Sequence, residues 1–266
     1  MRKSSGIAEG WLLVTDFDGT LVDHRSDPGA PDELVSWISR FRADGGIWAI
    51  NTGRELPYLL QGIRMAKVPI VPDFAIVVER EIHRYDCGQY DPVLPWHRHC
   101  IDRHAEVFAQ YADRWPALIQ WIEDNAKATI YEDEYSPFSV IADSETEATR
   151  IHTEMDRQAQ LMPGVLYVHN SIYGRFAHSD FHKGSALTEL ARVLEIPTSQ
   201  IIVAGDHWND VSMFDPDRAR WWIAPSESIG EVRRRVSAHE YGYVSGAPCG
   251  HGLLDGLLRI PHLAGI

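Results

Sequence analysis

A short apolar run, Leu12-Leu13-Val14-Thr15, breaks into Asp16-Phe17-Asp18-Gly19-Thr20-Leu21, and that break limits what the chain can become. Such a run closed by a turn residue predicts a strand, and in an open α/β sheet ligands bind just beyond the carboxyl ends of the strands. Asp16 and Asp18 fall at that end. Two buried carboxylates this close repel each other, so a cation must hold them or a proton must neutralise one. Mg2+ suits the place: it takes oxygen ligands, uses one or two protein carboxylates and keeps positions open for phosphate oxygens. The plainer alternative is an acidic turn after an edge strand.

The rest of the chain has room for a sizeable core. At 266 residues, 44% hydrophobic and 24% charged, it reads as a globular protein of about two domains. A formal net charge of -13 argues against nucleic acid, whose phosphates it would repel without a strong basic patch. Arg233-Arg234-Arg235 is too short for one and reads as a turn of solvated helix. A small anion remains compatible, because a few local cations and a metal outweigh distant charge. Three cysteines make no disulfide framework and fit a reducing compartment. The first ten residues lack the apolar segment of a signal peptide, and Pro69, Pro72 and Asp73 interrupt the longest apolar stretch. The expectation is a cytoplasmic protein with no membrane partner.

Taken in order, the chain alternates strand and helix. Pro31-Asp32-Glu33 opens a helix whose apolar residues Leu34, Val35, Ile38 and Phe41 recur at helical spacing. Gly45-Gly46 ends it before the strand Ile47–Ile50. Residues 55–65 look helical, and 68–71 and 74–78 extended, which implies a right-handed parallel sheet. Residues 81–96 then read as turn-rich and polar. A helical block over 97–125, two strands, a helix over 145–161 and a hairpin around Asn170 predict an inserted α+β unit with an antiparallel sheet. Parallel patterning returns with a helix from Gly184, the strand Ile201–Ala204, a helical stretch over 211–214, the strand Trp221–Ala224, and helices over 229–236 and 253–260. The expected architecture is α/β: a Rossmann-like three-layer core over 1–78 and 181–266, with an inserted α+β cap over 79–180.

Three strand ends thus present Asp16 and Asp18, Thr52, and Asp206, Asn209 and Asp210, with Lys183 opening a helix nearby. A carboxylate nucleophile, a hydroxyl donor, a cation and metal ligands are what phosphoryl transfer needs. DFDGTL, the Thr of INTGR, the Lys of HKGSAL and GDHWND resemble, in order, the four signatures of the haloacid-dehalogenase-like phosphohydrolases. The stretch between Asp16 and Thr52 is too short for an inserted domain, whereas that between Thr52 and Lys183 is long enough. This placement resembles the α/β-capped subgroup, which includes Cof-type sugar phosphatases, sucrose-phosphate phosphatase and phosphomannomutase.

The resemblance implies the following roles. Asp16 attacks phosphorus and forms an aspartyl-phosphate, while Asp18 protonates the leaving oxygen and then deprotonates the hydrolytic water. Asp16, the Asp18 carbonyl and Asp206 hold Mg2+, with Asp210 as a further ligand or a support. Thr52 and Lys183 bind the phosphoryl oxygens. Beside these implied roles, Gly53, Arg54 and Asn209 are candidate substrate contacts from their place at the strand ends. Acid catalysis by Asp18 calls for a raised pKa, and burial beside Asp16 pushes that way. The implied activity is Mg2+-dependent hydrolysis of a small phosphorylated metabolite, such as a sugar phosphate. A phosphomutase and a non-catalytic binding module on the same fold are the alternatives.

Alone, Thr52 reads as a turn residue, Lys183 as a solvated helix start and Asn209 as a helix cap. Val78-Glu79-Arg80-Glu81 stands where the subgroup usually carries Asn-Gly, so Glu79 or Arg80 reaches substrate or, the favoured expectation, forms a surface ion pair. Trp208 is expected to pack in the core. His97, His99, Cys100 and His104 are expected on an exposed histidine-rich face rather than around zinc. Tyr173 and Arg175 lie on a strand of the inserted unit, where an arginine suits a second anionic group.

Overall fold

The computed structural model describes residues 6–266. The chain divides into two compact units, one running to Val93 and resuming over Lys183–Ile266, the other Leu94–His182. The first begins with β1 (Leu12–Thr15), every residue of which is buried. Helix α1 (Asp32–Ala43) carries Asp32 and Glu33 in its first turn and Arg40 and Arg42 in its last, matching its dipole. Its buried stripe is Leu34, Trp37, Ile38 and Phe41. β2 (Ile47–Asn51), α2 (Leu56–Met65) and β3 (Phe74–Val77) follow, and β1, β2 and β3 pair in parallel. Residues 68–71, expected as extended, join no ladder; Pro69 lacks the N–H a ladder needs.

Residues 81–92 do not begin the inserted unit. They form β4 (Glu81–Asp86) and β5 (Gln89–Pro92), an antiparallel hairpin added to β3 at the edge of the large sheet. Cys87 and Gly88 both take positive φ (47° and 95°) between Asp86 and Gln89, the twist that a two-residue hairpin loop requires. The polar composition that looked like loop belongs to an exposed edge, where charges discourage further pairing.

The inserted unit contains α3 (Trp96–Gln110), α4 (Trp115–Asn125), β6 (Ala128–Asp133), β7 (Ser136–Ala142), α5 (Glu145–Ala159), β8 (Val165–Asn170) and β9 (Tyr173–His178). Its four strands pair antiparallel in the order β6-β7-β9-β8. Phe138, Ile151, Met155 and Phe176 lie in a core of its own. The predicted helical block divides before Trp115, and Pro116 falls in the first turn of α4, where a missing N–H costs no hydrogen bond. Cys100 and His104 are buried, not exposed as expected; the His104 Nδ1–H donates to the Cys100 carbonyl at 2.7 Å.

The chain returns through α6 (Lys183–Leu194), β10 (Ile201–Ala204), β11 (Trp221–Ala224), α7 (Gly230–Ser237), β12 (Gly242–Val244) and α8 (Cys249–Leu257). The expected helix over 211–214 is instead a turn after a single 3-10 turn, Trp208–Asp210. The last α-helix starts at Cys249, earlier than its apolar residues indicated. The eight-stranded sheet runs β12-β11-β10-β1-β2-β3-β4-β5, parallel from β12 to β3. The fold is therefore α/β, with a large mainly parallel sheet and a separate antiparallel one. β1 lies between β10 and β2; the chain winds outward from β1 through β2 and β3 on one side and from β10 through β11 and β12 on the other, and this reversal opens a crevice at the carboxyl ends. No helix among the described residues is long and apolar enough to cross a membrane.

Candidate active site

Three neighbouring strand ends converge at that crevice. The Asp16 amide donates to the Ala204 carbonyl at 2.9 Å and the Thr52 amide to the Ile76 carbonyl at 2.9 Å, so both residues extend the ladder by one step. Lys183 opens α6, and Asn51 Nδ2 donates to its carbonyl at 3.0 Å, tying that helix start to the end of β2.

The Lys183 side chain is fully buried, and its Nζ lies 2.6 Å from Asp16 Oδ1 and 2.6 Å from Asp210 Oδ1. Burial works against its charge, but Asp16, Asp210 and Glu79 outweigh burial and raise its pKa. Asp210 Oδ2 accepts from the Asp206 and His207 amides, both at 2.9 Å. Both Asp210 oxygens are therefore engaged, and the residue shapes its own loop. Asp206 Oδ1 accepts from Thr20 Oγ1 at 2.7 Å. Gly19, with φ +79°, lets the first loop approach: a Cβ there would sit 2.6 Å from Asp206 Oδ2.

Oxygens of Asp16, Asp206 and Asp210 all lie within 4.8 Å of one another, and among the described residues Lys183 is the ammonium hydrogen-bonded to the group. Burial raises the Asp16 pKa well above the ordinary value; Lys183 opposes this and the three neighbouring carboxylates add to it. Asp206 is pushed up to about 7, by burial first and Asp210 second. Asp16 and Asp206 each keep one oxygen outside these hydrogen bonds. An all-oxygen set with excess negative charge suits a hard divalent cation.

Asp18 departs from expectation. Burial does push its pKa up, but Arg54 overrides this, with Nε 2.7 Å from Oδ2 and Nη2 2.7 Å from Oδ1. His24 adds a further hydrogen bond, and the net shift is downward. Arg54, expected on substrate, also donates to the Tyr58 carbonyl at 3.3 Å and lies over the Phe17 ring.

The turn after β3 holds the residue that sequence reasoning undervalued. Glu79 and Arg80 are both buried, so no surface ion pair forms there. Val78 and Glu79 take φ of 44° and 67°, and the Arg80 amide donates to the Val77 carbonyl at 3.0 Å. This is the turn that Asn-Gly fits without strain; here a β-branched and a long residue occupy it, at roughly 1–3 kcal/mol each. The Glu79 amide donates to the Thr52 carbonyl at 2.9 Å, and Glu79 Oε1 accepts from Asn209 Nδ2 at 2.8 Å. Asn209 is thus tied to Glu79 and does not cap a helix. Thr52 Oγ1 accepts from the Arg54 amide at 3.2 Å, which leaves the hydroxyl proton to donate. Gly53 lies beside Glu79, its would-be Cβ 3.2 Å from Oε1.

Other expectations fare differently. Trp208 is 52% exposed and does not belong to the core. Arg175 faces Asp133 at 3.7 Å within the inserted unit. Thr20 entered the sequence reading only as part of DFDGTL, with no role of its own, and His24 had none; the one signal for His24 was that it follows the acidic turn.

The sequence matches, over residues 10–259, the family described as sucrose-6F-phosphate phosphohydrolase. No curated protein matches. Among solved structures, the sucrose-phosphatase of Synechocystis sp. PCC6803, in complex with sucrose and phosphate, superposes with a TM-score of 0.70 at 19% identity, covering 94% of this chain and 98% of that one. A haloacid dehalogenase-like hydrolase of Bacillus subtilis gives 0.63 at 13% identity, covering 97% and 93%. A phosphatase of the same superfamily from Bacteroides thetaiotaomicron gives 0.61 at 17% identity, covering 99% and 98%.

Proposed function

Because the chain belongs to the sucrose-6F-phosphate phosphohydrolase family of haloacid dehalogenase-like proteins, we propose that it is a Mg2+-dependent phosphatase acting on a phosphorylated sugar. One observation carries the proposal: the buried Lys183 ammonium bridges Asp16 and Asp210, beside a third carboxylate on Asp206. A buried lysine that only stabilised the fold would need one carboxylate, not an excess of them.

In this proposal Lys183 fixes Asp16 Oδ1 and leaves Oδ2 to attack phosphorus. The bond from phosphorus to the sugar oxygen breaks as the aspartyl-phosphate forms, and Asp18 gives that oxygen a proton. Asp18 then takes a proton from water, whose oxygen attacks phosphorus and frees phosphate and the Asp16 carboxylate. Thr52 donates its hydroxyl proton to a phosphoryl oxygen. Asp16, Asp206 and the Asp18 carbonyl are the residues that would hold Mg2+, whose charge offsets that of the phosphoryl oxygens. Asp210 supports the site through Lys183 and the Asp206 amide. The grip of Arg54 favours ionised Asp18, the form required against water, so the acid role depends on a proton that Asp18 acquires against that grip.

The test is phosphate release from a panel of sugar phosphates, sucrose 6-phosphate among them, with and without Mg2+. Release that needs Mg2+ and is lost in a folded Asp16→Asn variant supports the proposal. Release that persists in Asp16→Asn overturns the nucleophile, and no release from any substrate overturns the activity. Free phosphate formed without a bisphosphate activator separates a hydrolase from a mutase.

A further inference from the structure

The Glu79 carboxylate lies at this rim, and the steps above assign it no part. It is 8% exposed, and of its two oxygens only Oε1 is hydrogen-bonded, to Asn209. It abuts Gly53 and is tied through its amide to Thr52, so it sits beside the place assigned to the transferring phosphoryl group. A carboxylate there repels phosphate, and its backbone is held where glycine would be easier. Glu79 helps to hold the charge on the buried Lys183, but Asp16 and Asp210 already contact that ammonium at 2.6 Å each. Neither fold stability nor phosphoryl transfer therefore requires a further carboxylate in this strained turn. What it can do is accept a hydrogen bond and turn away a second negative charge.

We propose that Glu79 selects the leaving group: its free oxygen accepts a hydrogen bond from a sugar hydroxyl, and its charge excludes substrates with a second anionic group. The inference rests on the phosphatase reading and adds to it a preference for neutral polyhydroxylated monophosphates. Asn209 is then a positioning residue, since its amide holds the Glu79 carboxylate in place and leaves the second oxygen to substrate.

The experiment compares kcat/KM for glucose 6-phosphate, fructose 1,6-bisphosphate and p-nitrophenyl phosphate in wild type and Glu79→Gln. Glutamine preserves the acceptor for Asn209 and removes the charge. Ratios between substrates are read, so any common effect on phosphoryl transfer cancels. The expected result is a wild-type preference for the monophosphate over the bisphosphate that shrinks about tenfold or more in Glu79→Gln, with a parallel loss of preference for the sugar over the aryl ester. Unchanged ratios in Glu79→Gln overturn the inference, as does an equal loss on all three substrates, which would tie Glu79 to phosphoryl transfer. If Glu79→Gln does not fold, Glu79→Gly, which suits the left-handed backbone, is read in the same way. A wild type inert on all three and on the wider panel defeats the phosphatase reading itself, a result distinct from unchanged ratios.

Discussion

Arg54 grips both carboxylate oxygens of Asp18, its Nε 2.7 Å from Oδ2 and its Nη2 2.7 Å from Oδ1. The two residues come from different strand ends, and the planar fork fixes the orientation as well as the charge of the carboxylate. Lysine in the same place would supply charge without the fork. Arg54→Lys is therefore expected to lower kcat by roughly tenfold to a hundredfold, with KM for a sugar phosphate little changed, since in the proposed mechanism a misoriented Asp18 serves proton transfer poorly. Steady-state kinetics decide it: a change confined to KM would return Arg54 to substrate binding.

Metal should stabilise the fold as well as serve the chemistry. Asp16, Asp206 and Asp210 crowd together against a single bridging ammonium, so a divalent cation that binds only the folded chain relieves their repulsion. At a hundredfold excess over its dissociation constant, Mg2+ would add about 2.7 kcal/mol. Urea denaturation with Mg2+ and with chelator should show the difference, and Asp206→Asn should abolish most of it. A Mg2+ response that survives Asp206→Asn would place the ion elsewhere.

How legible the site was depended on how local each cause is. The apolar run before Asp16 and the glycine after Asp18 are neighbours in sequence, and strand, turn and carboxylates could be read together. Lys183 and Asp206 carried motif spacing, and the structure brings them to Asp16. Asp18 misled because burial was visible in sequence while the partner that outweighs it, Arg54, comes from another strand end. The hairpin Glu81–Pro92 misled for another reason: an edge strand exposes polar residues and so resembles a loop. Cys100 and His104 looked solvated because the helix face that buries them mixes polar and apolar residues.

The turn after β3 offers a test of strain. Val78 and Glu79 both take left-handed backbone conformations, which Asn-Gly adopts readily. The double variant Val78→Asn, Glu79→Gly should gain about 1–2 kcal/mol, because relief of strain exceeds the extra chain entropy of glycine. For a chain of this size that raises Tm by about 2–6 °C. Thermal unfolding measures it, and an unchanged or lower Tm would mean that the relief of strain does not exceed the loss of the Glu79–Asn209 hydrogen bond.

Acid should weaken the inserted unit in a window set by its buried histidines. His152 Nε2–H donates to the Ser171 carbonyl at 2.9 Å, the Tyr167 hydroxyl faces its Nδ1 at 3.4 Å, and its ring stacks 4.3 Å from His169. Burial is the main reason that its pKa lies below the ordinary 6.5; the Ser171 contact opposes this, His169 adds to it, and Asp156 and Glu145 oppose it. His178 is lowered too, by burial first and then by Arg103 and His99 against Asp180 and Glu106. An unfolded chain takes up these protons near pH 6.5 while the folded unit refuses them. The stability they confer is therefore complete above that pH and is lost as pH falls toward the depressed folded values, by up to about 1.4 kcal/mol per pH unit for each site. His152→Gln keeps a donor for Ser171 and does not titrate. Urea denaturation of wild type and His152→Gln between about pH 7.5 and 5.5 should show a shallower slope in the variant. Equal slopes would mean that His152 gains its proton as readily folded as unfolded.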